Sequence, residues 1–439
     1  MYGSSPFVSM SSSGRASPSN EPSTVIPFDD KPVSAHGDLA SVRDPLLEGF
    51  VISDDPERIQ ENVYVILGHG SMQRHVLLCG TLSFFVMLLN TLEYKVIGHF
   101  VDHWCRPPDE LRHLNATAWK VMAIPVEPNG NFSRCNVYDP PVQDGPDEER
   151  RQVPCRAWDY DTDRLEDSIV SRWDLVCDNA WLSPLSSLTY MLGAVLFTPV
   201  AGYLADRVGR TPIIKIAMST LLVASIGACV ADTFLLFLLT RFVVSGSAHS
   251  IVMVLYILLY EVTGSEHRTR FAIIDTAIAF TLAPRIVNGL SRLTPRWSLV
   301  QAAVLLPTAV LAFWCYQLDE SPAWLLATWN IAEAERSLML AAKRNGLDLD
   351  RAMNSYRQLR EQLLRQEMRM AKPGEASGFT ADGHVQAAFL FQTRIVCVAL
   401  SWFTLTMVFY TFTLSPASDA DNTLEIAHLV LQVYSLMSL

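Results

Sequence analysis

The sequence predicts an all-α integral membrane protein, and three observations support that prediction. Half of the 439 residues are apolar and only 18% are charged, and the mean hydropathy is +0.20. The apolar residues lie in runs without Asp, Glu, Lys or Arg, and most runs approach the ~20 residues that a helix needs to cross a bilayer. One such run would also fit a buried helix of a soluble protein. Six or more, with polar hinges between them, indicate a multi-span bundle.

Composition and short motifs exclude several classes of protein. The hydrophobic content is too high for a disordered chain. The formal net charge of −11 argues against a nucleic-acid partner, which needs a basic surface. The sequence contains no Gly-x-x-x-x-Gly-Lys loop, His-Glu-x-x-His, Cys-x-x-Cys or Gly-x-Ser-x-Gly pattern. We therefore expect neither an enzyme nor a cofactor, which leaves a carrier, a channel or a receptor.

The N-terminal part of the chain is polar up to the first apolar run. Residues 1–73 are expected to form a disordered cytoplasmic tail, because residues 1–53 are rich in Ser, Pro and acids and contain no apolar run. Residues 74–100 form the first predicted span. Nothing before this span resembles a signal peptide, so we expect the span to act as its own insertion signal.

Residues 184–316 are predicted to contain the second to sixth spans, and residues 395–439 a seventh span and part of an eighth. Asp275 and Arg285 make the fifth span the weakest candidate, since charges inside a membrane are costly. The apolar runs that support the other full spans are residues 75–92, 179–205, 216–231, 242–260, 297–318 and 395–418.

Basic residues in the short hinges predict the orientation of the spans. Arg207, Arg210 and Lys215 follow the second span, and Arg268 and Arg270 follow the fourth. Because cytoplasmic loops of membrane proteins are enriched in Lys and Arg, we place these two hinges and the N-terminus in the cytoplasm.

Residues 101–183 are predicted to be an extracellular, glycosylated loop that carries disulfides. Asn-x-Ser/Thr sequons begin at Asn115 and Asn131. The loop also holds four of the eight cysteines, and an even set in an oxidising compartment predicts two disulfides with three possible pairings. These cysteines are Cys105, Cys135, Cys155 and Cys177.

The start of this loop contains residues with the spacing of metal ligands, namely His99, Asp102, His103 and Cys105. They fall at the exit of a predicted helix, however, and Cys105 already belongs to the predicted disulfides. We therefore expect no metal site here.

Residues 317–394 are predicted to be a cytoplasmic loop between the sixth and seventh spans. Two segments of it, residues 331–343 and 350–370, are charged and helix-favouring and carry spaced leucines. This pattern predicts short amphipathic helices that lie under the bundle.

The hinge after the second span has a specific pattern, Gly-Tyr-Leu-Ala-Asp-Arg-Val-Gly-Arg over residues 202–210. We expect Gly202 to let two helices pack closely. Asp206 can pair with a helix N-terminus or an arginine, and Arg207 and Arg210 can bridge to acids at the ends of neighbouring helices. Such a charge cluster would hold one conformation closed and would have to break for the protein to open.

This pattern resembles the Gly-x-x-x-Asp-Arg-x-Gly-Arg signature of the major facilitator superfamily. Further segments, over about residues 63–410, resemble the organic cation/anion transporter family (solute carrier family 22) within that superfamily. These segments are Asp-His-Trp-Cys-Arg-Pro-Pro at 102–108, Ser-Arg-Trp-Asp-Leu-Val-Cys at 171–177, Glu-Val-Thr-Gly-Ser-Glu-His-Arg at 261–268, Glu-Ser-Pro-Ala-Trp-Leu at 320–325 and Asn-Gly at 345–346.

The resemblance implies a major facilitator superfamily helical bundle, with the N-terminal six-helix half and about two helices of the second half in this chain. It implies a plasma-membrane carrier for organic cations, carnitine-like zwitterions or organic anions that works by alternating access. Its partners would be the small organic ion and the lipid bilayer, and homo- and hetero-oligomers are both left open. The gating network implied by the resemblance is Gly202, Asp206, Arg207, Gly209, Arg210, Glu261 and Arg268.

The fourth and fifth spans depart from the family pattern, in which glycines and apolar residues are expected. Serines and a histidine follow Arg241, and the fifth span holds two charges about 15 Å apart along one helix, too far to pair. A substrate-facing role and a degenerate span are both open for these positions, and Arg285 would suit an organic anion. The candidate substrate-facing residues are Arg285, Asp275, His249 and Arg241.

Two alternatives follow from the length of the chain and from its outer loop. A complete family bundle has about twelve spans, so we expect these residues alone not to transport. The chain would then be a non-transporting regulatory isoform that binds a full-length partner, and sequence beyond residue 439 would discriminate this alternative. The other alternative is a cell-surface receptor, which predicts ligand binding by the isolated, oxidised loop.

Overall fold

The computed structural model describes residues 56–141, 151–161, 168–293, 296–370, 393–404 and 406–407. Six of its helices, α2 and α5 to α9, are long and apolar enough to cross a membrane. The helices are α1 (Pro56–Leu67), α2 (Ser71–Ile97), α3 (Ala116–Ala123), α4 (Ile169–Arg172), α5 (Leu182–Val208), α6 (Arg210–Cys229), α7 (Phe234–Val262), α8 (Ser265–Leu293), α9 (Trp297–Cys315), α10 (Pro322–Ala327), α11 (Ile331–Arg344), α12 (Leu349–Met370) and α13 (Thr393–Thr404).

The ends of the chain fall mostly outside the described residues. The seventh and eighth spans expected over residues 395–439 are represented only by part of α13 and by residues 406–407. The expectation of a disordered tail is wrong for α1, which places Val63, Ile66 and Leu67 in the core. These three apolar residues have the i, i+3, i+4 spacing of one helix face, which supplies the burial that a disordered segment lacks.

Among the six long helices, α2 contacts α7, α8 and α9, and α7 also packs against α5 and α6. The α5–α7 crossing depends on two glycines. A side chain at Gly193 would overlap the carbonyl oxygen of Phe242, and one at Gly246 would lie 2.5 Å from the ring of Phe197. Small residues at such positions let helix backbones approach closely, as packing inside a membrane requires.

Gly202 does not have the packing role that we expected of it. Within the part of the chain that the structure describes, a Cβ at this position would meet no atom within 4 Å. The close approach of α5 to its neighbour instead occurs at Gly193, more than two turns earlier in the helix.

The outer loop folds on two small antiparallel sheets. Strand β1 (His103–Cys105) pairs with β4 (Trp158–Tyr160), and β2 (Asn136–Asp139) pairs with β3 (Arg151–Pro154). Of the three pairings that the sequence left open, the structure joins Cys105 to Cys155 and Cys135 to Cys177. The first disulfide joins β1 to the residue after β3, and the second joins the residue before β2 to the end of the loop.

Other predicted features of the loop lie close to these sheets. Asn115 and Asn131 are both exposed. His103 is buried, with Nε2 3.9 Å from the Sγ of Cys177. That sulfur is oxidised in a disulfide and so is not available as a thiolate ligand. Asp102, part of the same spacing pattern, accepts a hydrogen bond from Arg134 at 3.0 Å.

Helices α1, α11 and α12 form a layer at the end of the bundle where α7 ends and α8 begins. Asn345, at the end of α11, connects this layer to α2 by hydrogen bonds. Its Nδ2 donates to the carbonyl of Leu67 at 2.7 Å and to Oε1 of Gln73 at 3.0 Å, and its Oδ1 accepts from the amide of Met72 at 3.0 Å. Gln73 in turn donates to the carbonyl of Val262, so α11 is tied to α2 and α7 at once.

Candidate functional site

Four charged residues meet at the hinge between α5 and α6, and we call Asp206, Arg210, Glu261 and Glu320 the hinge cluster. Arg210 is its centre. Its Nη1 donates to Oδ1 of Asp206 and its Nη2 to Oε1 of Glu261, both at 2.7 Å. The Nη1 also donates to the carbonyl of Ala205 at 2.7 Å. Charge-assisted bonds of this kind are roughly twice as strong as neutral ones.

Glu320 completes the cluster, although the gating network expected from the sequence does not include it. Its carboxylate accepts from the backbone amides of Arg210 at 2.9 Å and Thr211 at 3.2 Å, at the N-terminus of α6. A helix N-terminus favours such an anion. Burial raises the pKa of Glu320, and hydrogen bonds from the amides of Ser321, Arg210 and Thr211 oppose that effect.

Gly209 makes this carboxylate contact possible. Its φ of +119° is a conformation that residues with a side chain rarely adopt. A Cβ at Gly209 would also lie 2.6 Å from Oε2 of Glu320. Both the backbone conformation and the lack of space beside Glu320 therefore favour glycine at position 209.

Two arginines that we expected in the gating network lie outside it. The guanidinium of Arg207 stacks over the ring of Tyr203 at 4.7 Å. Arg268 donates to the hydroxyl of Tyr64 at 2.6 Å and to the carbonyl of Thr263 at 3.0 Å, and it covers the ring of Tyr260. The spacing of residues along the chain could not show that aromatic faces would hold both cations.

A second polar group lies inside the six-helix bundle, and we call Asn90, Glu93, Tyr190, Arg241 and Gln301 the buried cluster. Nη1 of Arg241 forms an ion pair with Oε1 of Glu93 and donates to the carbonyl of Asn90 at 3.1 Å. Gln301 donates to the same Glu93 oxygen at 2.8 Å. The guanidinium lies 4.4 Å from the ring centroid of Tyr190.

The buried cluster corrects one expectation from the sequence. Arg241 is only 2% exposed and is held by Glu93, so it does not face a substrate cavity in this conformation. Glu93, near the end of α2, is 0% exposed. The cluster joins α2, α5, α7 and α9, and a buried ion pair of this kind requires the close partners that it has.

His249 lies near the buried cluster on the same helix as Arg241. Its Nδ1 donates to the carbonyl of Ser245 at 2.9 Å, and its ring packs edge-on against Tyr190. Its buried Nε2 has no hydrogen-bond partner among the described residues. An orphaned polar atom of this kind leaves the substrate-facing expectation for His249 in place as a prediction.

The two charges of the fifth span lie on different faces of α8. Asp275 is 3% exposed and accepts a hydrogen bond from Thr81 of α2 at 3.4 Å. Arg285 is exposed, and its Nη1 donates to the carbonyl of Thr281, one turn back along the helix, at 3.2 Å. The structure therefore agrees that the two charges do not pair with each other.

The comparison with protein families gives one match that covers more than half of the chain. The model described as Major Facilitator Superfamily matches residues 180–439. This range includes the hinge motif, all of the hinge cluster, and both Asp275 and Arg285.

Several curated relatives are similar over most of this chain. Human organic anion transporter 3 is 29% identical over 332 residues, which cover 74% of this chain and 58% of the relative. Mouse solute carrier family 22 member 7 is 26% identical over 377 residues, covering 81% and 67%. The β-alanine transporter of Drosophila melanogaster is 29% identical over 277 residues, covering 57% and 46%. The chain thus spans about half to two thirds of the length of these relatives.

Two solved structures are also similar to this chain. The proton:xylose symporter XylE bound to 6-bromo-6-deoxy-D-glucose is 14% identical with a TM-score of 0.46, covering 84% of this chain and 68% of that one. The human organic anion transporter MFSD10 is 14% identical with a TM-score of 0.37, covering 84% and 86%.

The family match includes the hinge at which Arg210, Asp206, Glu261 and Glu320 meet. Five of the six membrane-length helices of the described residues begin within the same matched range. The chain belongs to the major facilitator superfamily and is related there to the organic anion transporters of solute carrier family 22.

Proposed function

We propose that this protein is a plasma-membrane carrier that moves small organic anions by alternating access. Family membership supports transport in general. The names of the relatives above include organic anion transporter 3, which favours an anion as the substrate. The observation that carries the substrate class is the position of Arg285 on α8.

Arg285 lies in the middle of the exposed face of α8. At 100° per residue, the exposed residues Ile274, Ile278 and Thr281 lie within about 40° of it. The opposite face, which includes Thr276 and Ala283, is buried in the bundle. An exposed cation within a membrane-length helix should not face lipid. This face therefore lines a water-filled cavity or meets another part of the protein.

The direction of the Arg285 side chain supports a cavity position. Its bond to the carbonyl of Thr281 points the guanidinium back toward the start of α8, away from the nearer helix end. An arginine that extends to the interface would point the other way. In the described residues Arg285 has no carboxylate partner, so its charge is free to bind an anion.

In this proposal the hinge cluster is the cytoplasmic gate. Arg210 links α6 to the ends of α5 and α7, and Glu320 fixes the start of α6. Opening would exchange these bonds for water, which is feasible because the Asp206 side chain is 70% exposed. The same proposal places the N-terminus in the cytoplasm and the disulfide-bonded loop, with glycans on Asn115 and Asn131, outside.

Uptake measurements with two labelled probes test the substrate class. Cells that express this chain together with any sequence that follows residue 439 are given an aromatic carboxylate or a quaternary ammonium ion. Arg285→Gln is compared with Arg285→Lys and with a control, Arg292→Gln, which removes an exposed arginine from the last turn of the same helix. We expect carboxylate uptake to fall about 10-fold or more in Arg285→Gln, because a hydrogen bond to a charged group contributes about 1.5–3 kcal/mol.

The other variants make the result specific. Arg285→Lys should retain part of the uptake, since it keeps the charge, and Arg292→Gln should behave like the unmodified chain. The proposal fails if carboxylate uptake does not exceed that of mock-transfected cells. It also fails if Arg285→Gln and Arg292→Gln are indistinguishable, or if only the ammonium ion is taken up.

A further inference from the structure

Asp275 is an acid in the middle of a helix interface rather than at its edge. It is 3% exposed on the face of α8 that packs against α2. The buried residues around it on α8 are Phe271, Thr276, Ala279 and Ala283, which bring no charge. An ionised carboxylate in such a place would lose its hydration without a compensating ion.

The surface of α2 is shaped around this carboxyl group. Gly80 faces it so closely that a Cβ there would lie 2.5 Å from Oδ1 of Asp275. The neighbouring Thr81 donates its hydroxyl to the same oxygen at 3.4 Å. A glycine and one hydroxyl thus form a close-fitting recess for one polar group, and they supply a single long hydrogen bond.

None of the charged groups on the two packed helices forms an ion pair with Asp275 in the described structure. Arg268, two turns away on the same face of α8, is held by Tyr64 and Thr263. The other titratable or charged groups of the two helices are Arg74, His75, Cys79, Glu93, Tyr94 and Lys95 on α2 and Glu266, His267, Arg270, Arg285 and Arg292 on α8.

Three of these groups form hydrogen bonds with residues other than Asp275. His75 bonds to the carbonyl of Trp314, Glu93 to Arg241, and Arg285 to the carbonyl of Thr281. Arg74 lies about 9 Å along α2 from Gly80, and Arg270 lies on the opposite face of α8 from Asp275. The closest fixed charges therefore do not compensate an Asp275 carboxylate.

Glu93 shows how the fold surrounds an intramembrane carboxylate that has a counter-ion. That side chain receives an arginine and an amide from two other helices. Asp275 receives one threonine hydroxyl. We propose that Asp275 is a proton-binding site, neutral in this packed state, with the proton on Oδ2 while Oδ1 accepts from Thr81.

The protonation of Asp275 does not depend on the proposed carrier function, and only its consequence for transport rests on that function. A carboxyl that is neutral when α2 and α8 are packed ionises once water enters between them, and the proton then passes to that water. Proton binding thus favours the packed state, and the conformational equilibrium depends on pH. A carrier built this way couples its cycle to a proton, whatever organic ion it moves.

Infrared spectroscopy of the purified chain in lipid tests the site without any transport. A protonated carboxyl has a C=O stretch separate from the bands of carboxylates, and it shifts in heavy water. We expect such a band at neutral pH, and we expect Asp275→Asn to remove it. Glu93→Gln should leave it in place, because Glu93 is the ion-pair partner of Arg241 and does not contact the Asp275 recess.

A second variant keeps the test decisive if Asp275→Asn does not fold. Thr81→Val keeps the shape of the threonine side chain but removes the hydroxyl that donates to Asp275. The C=O band of Asp275 should therefore move to higher frequency. Sodium at fixed pH should have no effect on the band. The proposal is overturned by the absence of a protonated-carboxyl band at neutral pH, by a band that survives Asp275→Asn, or by loss of the band on adding sodium. None of these results bears on uptake of the carboxylate.

Discussion

The hinge cluster and the buried cluster use the same chemistry in two different settings. In both, one arginine is held by at least one carboxylate from another helix. In the hinge cluster, the side chains of Arg210, Glu261 and Asp206 are 9%, 19% and 70% exposed. In the buried cluster, Arg241 and Glu93 are 2% and 0% exposed.

This difference in exposure separates a contact that can open from one that holds the bundle together. Water can replace the exposed Asp206 carboxylate at the hinge, so that breaking this contact costs little free energy. Separating Arg241 from Glu93 would leave two charges in a medium of low dielectric constant, which costs several kcal/mol. We therefore assign the gate to the hinge, and to the buried pair we assign the fixed packing of α2, α7 and α9.

The largest expected effect comes from breaking the buried pair. Arg241→Met should destabilise the protein by about 3–5 kcal/mol, because it leaves Glu93 buried without its counter-ion. The double variant Arg241→Met, Glu93→Gln should recover most of that loss, since no charge then remains. Thermal unfolding of the detergent-purified chain measures both. A single variant as stable as the double one would show that the pair is not structural.

The next effect tests the crossing of α5 and α7. Gly193→Ala should cost about 1–3 kcal/mol, because its methyl group would overlap the carbonyl oxygen of Phe242 and push the helices apart. Gly202→Ala is the matched control, since a methyl group there meets nothing in the described structure. It should be neutral or slightly stabilising, by up to about 1 kcal/mol. Equal losses in the two variants would contradict the assignment.

At the hinge, the expected changes in the free energy of unfolding are smaller than those at Gly193 and at the buried pair. Asp206→Asn should change the free energy of unfolding by less than about 1 kcal/mol, given the exposure of that side chain. Arg210→Gln should cost more, because it also removes the bonds to Glu261 and to the carbonyl of Ala205. Unfolding curves give the ranking, and a larger loss in Asp206→Asn than in Arg210→Gln would reverse our view of the cluster.

The smallest effect concerns the pH dependence of the outer loop. Burial lowers the pKa of His103 from its ordinary value of 6.5. The folded state then binds fewer protons than the unfolded chain, so stability should fall as the pH drops below about 6.5. His103→Gln should weaken this dependence, whereas His113→Gln, at an exposed position, should not. Unfolding curves at pH 5 and pH 7.5 check it, and an unchanged slope in His103→Gln would contradict the assignment.

Sequence reasoning succeeded where a feature depends on local pattern. Run lengths predicted helices at five of the six spans, and the family resemblance implied that Asp206, Arg210 and Glu261 belong to one network. It failed where a feature depends on which helix faces meet. Glu93 and Arg241 are 148 residues apart in the chain, and nothing near either residue indicates the other.

The same reason explains the errors at other positions. Gly202 belongs to a recognisable motif but, among the described residues, a Cβ there would meet no atom within 4 Å, whereas Gly193 belongs to no motif and a Cβ there would overlap the carbonyl oxygen of Phe242. Arg207 and Arg268 have the right charge for the gate, but aromatic rings hold them elsewhere. Only the three-dimensional arrangement distinguishes these cases.

Hydrogen–deuterium exchange of the chain in lipid, with and without the aromatic carboxylate, tests the central claim most directly. We expect the carboxylate to change exchange at residues 205–212, where the hinge cluster fixes the start of α6. Exchange at residues 88–93 and 238–245, around the buried pair, should stay slow in both states. A change at both clusters together, or at the buried pair alone, would contradict the division between an opening gate and a fixed core.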